Sequence, residues 1–298
     1  MRRRVVFLVA AAACGAGGVP PTPFDGDAAL RYVQAQVAFG PRVPGTEGHR
    51  RTGDWLLAHL SRTADSVEVQ AFTHVTQTGD TLALRNFIGR FRPTAAERVL
   101  FLAHWDTRPR SDQARNLAQQ AIPVPGANDG ASGTAVLLGV ADVLAQHPPS
   151  VGVDLLFVDG EDYGDFSGPD VLLGSRHYAR QLPRDGHPLY AVLFDMVGDA
   201  ELRIFQEGNS MIAAPEVVHR VWGLAGALGY GDAFRPALRH TVTDDHVPLI
   251  EAGVRAINVI DFDYGPENAY WHTPADTPDK VSARSLKIVG DVAVALVR

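Results

Sequence analysis

Acids and imidazoles gather at a few points of this chain, and most of those points follow a short apolar run. Phe101-Leu102-Ala103 leads into His104-Trp105-Asp106, Leu155-Leu156-Phe157-Val158 into Asp159-Gly160-Glu161-Asp162, and Val192-Leu193-Phe194 into Asp195. Val259-Ile260 runs toward a loop carrying Trp271-His272, and Asp129 lies in a glycine-rich loop ahead of a long apolar stretch. Carboxylates and imidazoles delivered from separate segments suit a divalent ion such as zinc, held through nitrogen and oxygen with one position left open. Asp129, Asp162 and His272 can supply three such ligands. His104 and Asp195 could hold a second ion, with Asp129 bridging. Glu161, beside Asp162 but free of the ion, is placed to carry a proton. Asp244-Asp245-His246 adds two acids that either cap a helix or face the site, where one shares protons with Glu161 and Asp195. Crowded carboxyls raise one another's proton affinity, which suits acid-base work near neutral pH. His49, His59, His147, His187 and His219 join no other ligand type at a strand end and are expected to be structural.

The elements that must position these residues can be read from periodicity. Helical spacing covers 27–39 and 53–60, with the turn-rich Gly40-Pro41-Arg42-Val43-Pro44-Gly45 near the junction. Strands are expected at 67–75, 82–91, 98–103, 153–158, 191–194, 202–205 and 255–260. Helices are expected at 131–146, 172–181, 215–228 and 282–297, and another begins at Asp244-Asp245-His246. Strands alternating with helices imply an α/β fold with a mostly parallel sheet and helices on both faces. Ligands then gather beyond the carboxyl ends of the strands, which is where the polar clusters fall.

The chain has 298 residues, 46% of them hydrophobic, enough for a substantial core. With 34 acidic against 27 basic residues its formal charge is -7, which argues against a nucleic-acid partner held by phosphate contacts. One cysteine excludes a disulfide framework and a thiolate-rich zinc site, so any metal rests on acids and histidines. Met1-Arg2-Arg3-Arg4 followed by the apolar run Val5–Ala13 reads as a secretory signal, too short to span a bilayer. Cys14 after Ala11-Ala12-Ala13 resembles a bacterial lipoprotein cleavage site, with plain cleavage near Ala13 as the alternative. The expected organisation is a signal over 1–14, a Gly- and Pro-rich linker over 15–25 and a single catalytic domain over 26–298. The product is expected to be exported, and to be periplasmic, secreted or membrane-anchored only through a lipid on Cys14.

From Phe39 onward the chain resembles the zinc exopeptidases that include bacterial leucyl-type aminopeptidases and animal-type glutaminyl cyclases. The resemblance rests on six motifs in order: Gly40–Gly45, the Asn86 strand, Ala103–Asp106, Gly126–Gly133, Asp159–Asp162 and Trp271-His272-Thr273. It implies a three-layer α/β/α sandwich around a mixed eight-stranded sheet. Asp129, Asp162 and His272 match the zinc ligands and Glu161 the general acid-base, while Asp106 matches a supporting acid. Asp162 stands where the family commonly has Glu, one methylene longer. In the aminopeptidase branch His104 and Asp195 match ligands of a second zinc. In the cyclase branch one zinc is used and Asp195 joins a proton-sharing network.

Asp244-Asp245-His246-Val247-Pro248, Leu173–His177 and Trp271 before His272 are similar to the cyclase pattern. The leading expectation is therefore a glutaminyl-peptide cyclotransferase acting on peptide or protein N-termini. Asp195 and Asp245 would tune Glu161, and Trp271, Asp244 and His246 would contact substrate. The alternative is a two-zinc aminopeptidase that hydrolyses N-terminal residues. A non-catalytic binding module with the same fold would have lost a ligand or Glu161, and all are present.

Overall fold

Period-two alternation in the strands builds two cores, one on each face of a sheet. The computed structural model describes residues 22–182 and 187–298. The expected signal, Cys14 and most of the expected linker lie outside those residues. In chain order the elements are α1 (Gly26–Ala38), α2 (Glu47–Thr63), β1 (Ser66–Val75), β2 (Thr81–Phe91), β3 (Arg98–His104), α3 (Ala131–Gln146), β4 (Gly152–Val158) and α4 (Leu173–Gln181). They continue with β5 (Ala191–Asp195), β6 (Ile204–Gln206), α5 (Gly208–Ala213), α6 (Pro215–Ala227), β7 (Phe234–Leu238), α7 (His246–Glu251), β8 (Ala256–Ile260) and α8 (Ala283–Ala295).

The central sheet has six strands in the order β1-β2-β4-β3-β5-β8. β1, β2 and β4 pair antiparallel, while β4, β3, β5 and β8 run parallel. Phe101, Leu155, Phe157, Val192 and Phe194 point into a core shared with α1, α2, α3, α6 and α8. Their neighbours Leu100, Leu102, Leu156, Val158 and Leu193 point the other way, onto Tyr178 of α4 and Leu249 of α7. The alternation thus makes a helix-sheet-helix sandwich.

Among the described residues eight strands are present, but they form two sheets rather than the single one expected: β6 and β7 pair separately, parallel to each other. Beyond β8, the Asn258 N–H donates to Ser210 Oγ of α5 at 2.9 Å, so a side chain takes a bond that a neighbouring strand would have made. α2 begins at Glu47, six residues before the pattern suggested, because Thr46 caps it by accepting from the His49 N–H. Thr22–Asp25, inside the stretch expected to be a linker, is docked: Phe24 is buried and Asp25 caps α1. Among the described residues no helix is long and apolar enough to cross a membrane.

Candidate active site

β3, β4 and β5 run parallel and end side by side, delivering His104, the Asp159–Asp162 loop and Asp195 to one rim. Asp129 reaches that rim from the loop before α3. Gly130, at φ +88, sits where a Cβ would lie 2.6 Å from the Asp106 carbonyl oxygen. Only glycine fits that close approach in the left-handed region. His272 also has a left-handed backbone, φ +51, which is costly for a residue with a side chain and characteristic of functional loops. Its ring stacks on Trp271, with centroids 4.0 Å apart.

Two trios of ligand atoms result, Asp129/Asp162/His272 and His104/Asp129/Asp195, each with its atoms within 4.8 Å of one another. In the first, His272 Nε2 lies 3.4 Å from Asp129 Oδ2 and 3.5 Å from Asp162 Oδ2. Zinc bonds of roughly 2.1 Å in a tetrahedron place ligand atoms about 3.4 Å apart, so these spacings fit. Asp162 Oδ2 is buried and has no hydrogen-bond partner, as expected of an atom reserved for a cation. In the second trio, His104 Nε2 is 3.2 Å from Asp129 Oδ1 and 3.2 Å from Asp195 Oδ1. Asp129 therefore turns one oxygen to each trio, the arrangement a bridging ligand needs.

Two buried acids hold the ligand loops by their backbones. Asp106 Oδ1 and Oδ2 accept from the N–H groups of Glu161 and Asp162, at 3.1 and 3.2 Å. Asp276 accepts from the N–H groups of Asn128 and Asp129, at 2.8 and 3.1 Å, and from the Tyr264 hydroxyl at 2.8 Å. Arg42, fully buried, donates to the carbonyls of Trp105, Pro125, Gly126 and Asp129. Burial pushes its guanidinium down to about 10, so it stays charged at neutral pH. His49, expected to be structural, bonds Asp159 at 2.9 Å and stacks on Trp105.

A cavity of about 350 Å³ opens onto the trios, lined by Glu161, Asp195, Asp244 and Trp271 together with Phe166, Phe262 and other residues. Burial pushes the Glu161 carboxyl well above the carboxylate range. The nearby charges of Asp162, Asp244 and Asp245 act in the same direction, and His104 opposes them. Burial and Asp244 likewise raise Asp195 to about 7. Asp245 stands behind the cavity rather than in its wall. It accepts from the Ser175 hydroxyl, and its backbone N–H donates to Asp244 Oδ1 at 2.6 Å. His246, expected to contact substrate, is fully buried and is not among the residues lining the cavity, with Nε2 3.2 Å from Glu207 Oε2. The first turn of α7 carries its ring inward while Asp244 faces the cavity.

Sequence reasoning gave no role to Arg42, Arg108, Asp112, Glu207 or Asp276. Each acts through a partner distant in the chain or through loop geometry, and no spacing signals it.

With this geometry in place, comparisons with known proteins are informative. The chain is 29% identical over 266 residues to the glutaminyl-peptide cyclotransferase-like protein of Mus musculus, covering 79% of this chain and 66% of that protein. It is 28% identical over 243 residues to aminopeptidase YwaD of Bacillus subtilis, covering 78% of this chain but only 46% of the relative. It thus spans just under two thirds of the first relative and less than half of the second. Among solved structures, the glutaminyl cyclase of Bacteroides thetaiotaomicron bound to N-acetylhistamine superimposes with a TM-score of 0.87 at 35% identity, covering 93% of this chain and 99% of that one. The model of peptidase family M28 matches residues 86–297, a stretch that holds every residue of both trios, and the chain belongs to that family.

Proposed function

We propose that this chain is a zinc-dependent glutaminyl-peptide cyclotransferase, closing the N-terminal glutamine of a peptide to pyroglutamate with release of ammonia. The observation that carries this reading is the cluster of buried carboxyls Glu161, Asp195, Asp244 and Asp245 around an aromatic-walled cavity. Ring closure uses no water and no second substrate. It needs room for one side chain, polarisation of one amide carbonyl, and a group that moves a proton between two nitrogens of the same molecule.

Asp129, Asp162 and His272 would hold the zinc, which when bound supplies Lewis acidity toward the side-chain carbonyl. Glu161 takes a proton from the α-amine as its nitrogen bonds to the side-chain carbon. The bond from that carbon to the amide nitrogen then breaks, and Glu161 returns a proton to the departing nitrogen, which leaves as ammonia. A carboxyl whose proton affinity is raised by burial and by neighbouring acids suits both transfers. Because the α-amine and the side-chain carbonyl belong to one residue, the cavity need only favour the folded conformer. Trp271 and Phe262, edge to face at 5.1 Å, supply that wall.

One observation favours a second reading: the His104/Asp129/Asp195 trio could take a second ion, as the aminopeptidase alternative requires, with Glu161 as its base. Product analysis separates the two. Zinc-loaded protein given a Gln-initiated peptide should yield pyroglutamyl peptide and one ammonia per turnover, whereas a shortened peptide with free glutamine would refute cyclisation. We also propose export with a lipid on Cys14, supported by Arg2-Arg3-Arg4 and the apolar run Val5–Ala13. Cys14→Ser protein should then move from the membrane to the soluble fraction, and unchanged fractionation would refute the anchor.

A further inference from the structure

Two charged residues outside the trios join two of the three ligands of the first. Arg108, only 9% exposed, donates through Nη1 to Asp162 Oδ1 at 2.6 Å and to the Gly164 carbonyl at 2.9 Å. Its Nε and Nη2 grip the Asp112 carboxylate at 3.0 and 2.8 Å. Asp112 Oδ1 in turn lies 3.3 Å from His272 Nδ1. Arg108 and Asp112 thus bridge Asp162 to the far side of the His272 ring.

We propose that Arg108 and Asp112 form a positioning clamp that orients Asp162 and His272 to receive zinc. This rests on the zinc-site reading above. Asp162 has two oxygens, and Arg108 occupies one of them. That leaves Oδ2 as the free atom turned toward His272 Nε2, and it restricts Asp162 to single-oxygen ligation. His272 Nδ1 is buried with no hydrogen-bond partner, and Asp112 Oδ1 at 3.3 Å is the carboxylate oxygen beside it, placed to favour the tautomer with hydrogen on Nδ1 and the lone pair of Nε2 on the zinc side. The planar fork of Arg108 sets the angle between the two carboxylates, which a lysine cannot reproduce. The guanidinium also places one positive charge beside Asp162. Phe166, whose ring centroid lies 6.0 Å from the guanidinium carbon, shields it on the cavity side.

The test is chelator competition for zinc on the whole protein, with melting of the zinc-free form as a separate readout. Arg108→Ala and Asp112→Asn should each weaken zinc binding roughly 10- to 100-fold, the usual cost of losing a partner that orients a metal ligand. Arg108→Lys should recover little of that loss. Arg115→Ala, removing an exposed arginine on the same segment, should bind zinc like the parent. Asp112→Asn keeps the side-chain shape and serves where Arg108→Ala fails to fold. Zinc affinity within about threefold of the parent in Asp112→Asn and Arg108→Lys would overturn the clamp, because the cited effect is at least tenfold. A parent that binds no zinc would instead overturn the zinc-site reading, and the clamp with it.

Discussion

Asp106→Asn isolates the support of the Glu161–Asp162 loop without changing its shape. The native carboxylate accepts two backbone N–H bonds, at 3.1 and 3.2 Å, from a fully buried position. Asparagine offers one carbonyl oxygen and one NH2 group, so one backbone N–H keeps an acceptor while the other meets a donor. An unsatisfied buried donor costs about 1–3 kcal/mol, and exchanging a charged acceptor for a neutral one costs about 1 kcal/mol more. The total is about 2–4 kcal/mol, visible either as lost stability or, where the loop relaxes, as weaker zinc binding. Urea unfolding of the zinc-free and zinc-loaded forms, combined with chelator competition, partitions the loss. Stability within about 0.5 kcal/mol of the parent, the range of an ordinary surface substitution, together with unaltered zinc affinity would refute the proposed support.

Glu161→Gln should lower turnover by about 10²- to 10⁴-fold while leaving zinc bound, measured by steady-state assay beside metal analysis; loss of zinc would make Glu161 a ligand. Trp271→Ala should raise KM more than it lowers kcat, because Trp271 lines the cavity without a proton to give, and an unchanged KM would remove it from the substrate wall. Glu207, bonded by His246, Ser210 and Asn209, is lowered from 4.5 to about 2, although its burial opposes this. A depressed carboxyl stabilises the fold above its unfolded pKa, so this contribution of about 3 kcal/mol is complete above pH 4.5 and lost as pH falls toward 2. The stability gap between parent and Glu207→Gln in urea should therefore shrink from pH 7 to pH 3, and a constant gap would contradict the assignment.

Much of the fold was legible because it depends on local pattern. The apolar run of α3 ends at Gln146 where His147-Pro148-Pro149 interrupts it, and the strands feeding His104, Asp162 and Asp195 are short, apolar and buried. The trios were legible because parallel strands bring their carboxyl ends to one rim. β7 was missed because Phe234–Leu238 carries a proline and is exposed except at Phe234, so no alternation announces it. The separation of β6 and β7 depends on Ser210 reaching β8, a contact across 48 positions. The burial of His246 against Glu207 was not legible, because the sequence shows two acids and an imidazole together but not which way the chain turns each of them at the start of α7. Arg108 and Asp112 passed unnoticed because a loop Arg and Asp four positions apart are ordinary surface residues until folding buries the guanidinium beside Asp162.

The central claim is that Asp129, Asp162 and His272 together grip zinc, and diffraction at the zinc absorption edge addresses it directly. An anomalous peak about 2.0–2.2 Å from Asp129 Oδ2, Asp162 Oδ2 and His272 Nε2 is the predicted result. A peak elsewhere, or none in zinc-equilibrated crystals, would contradict it.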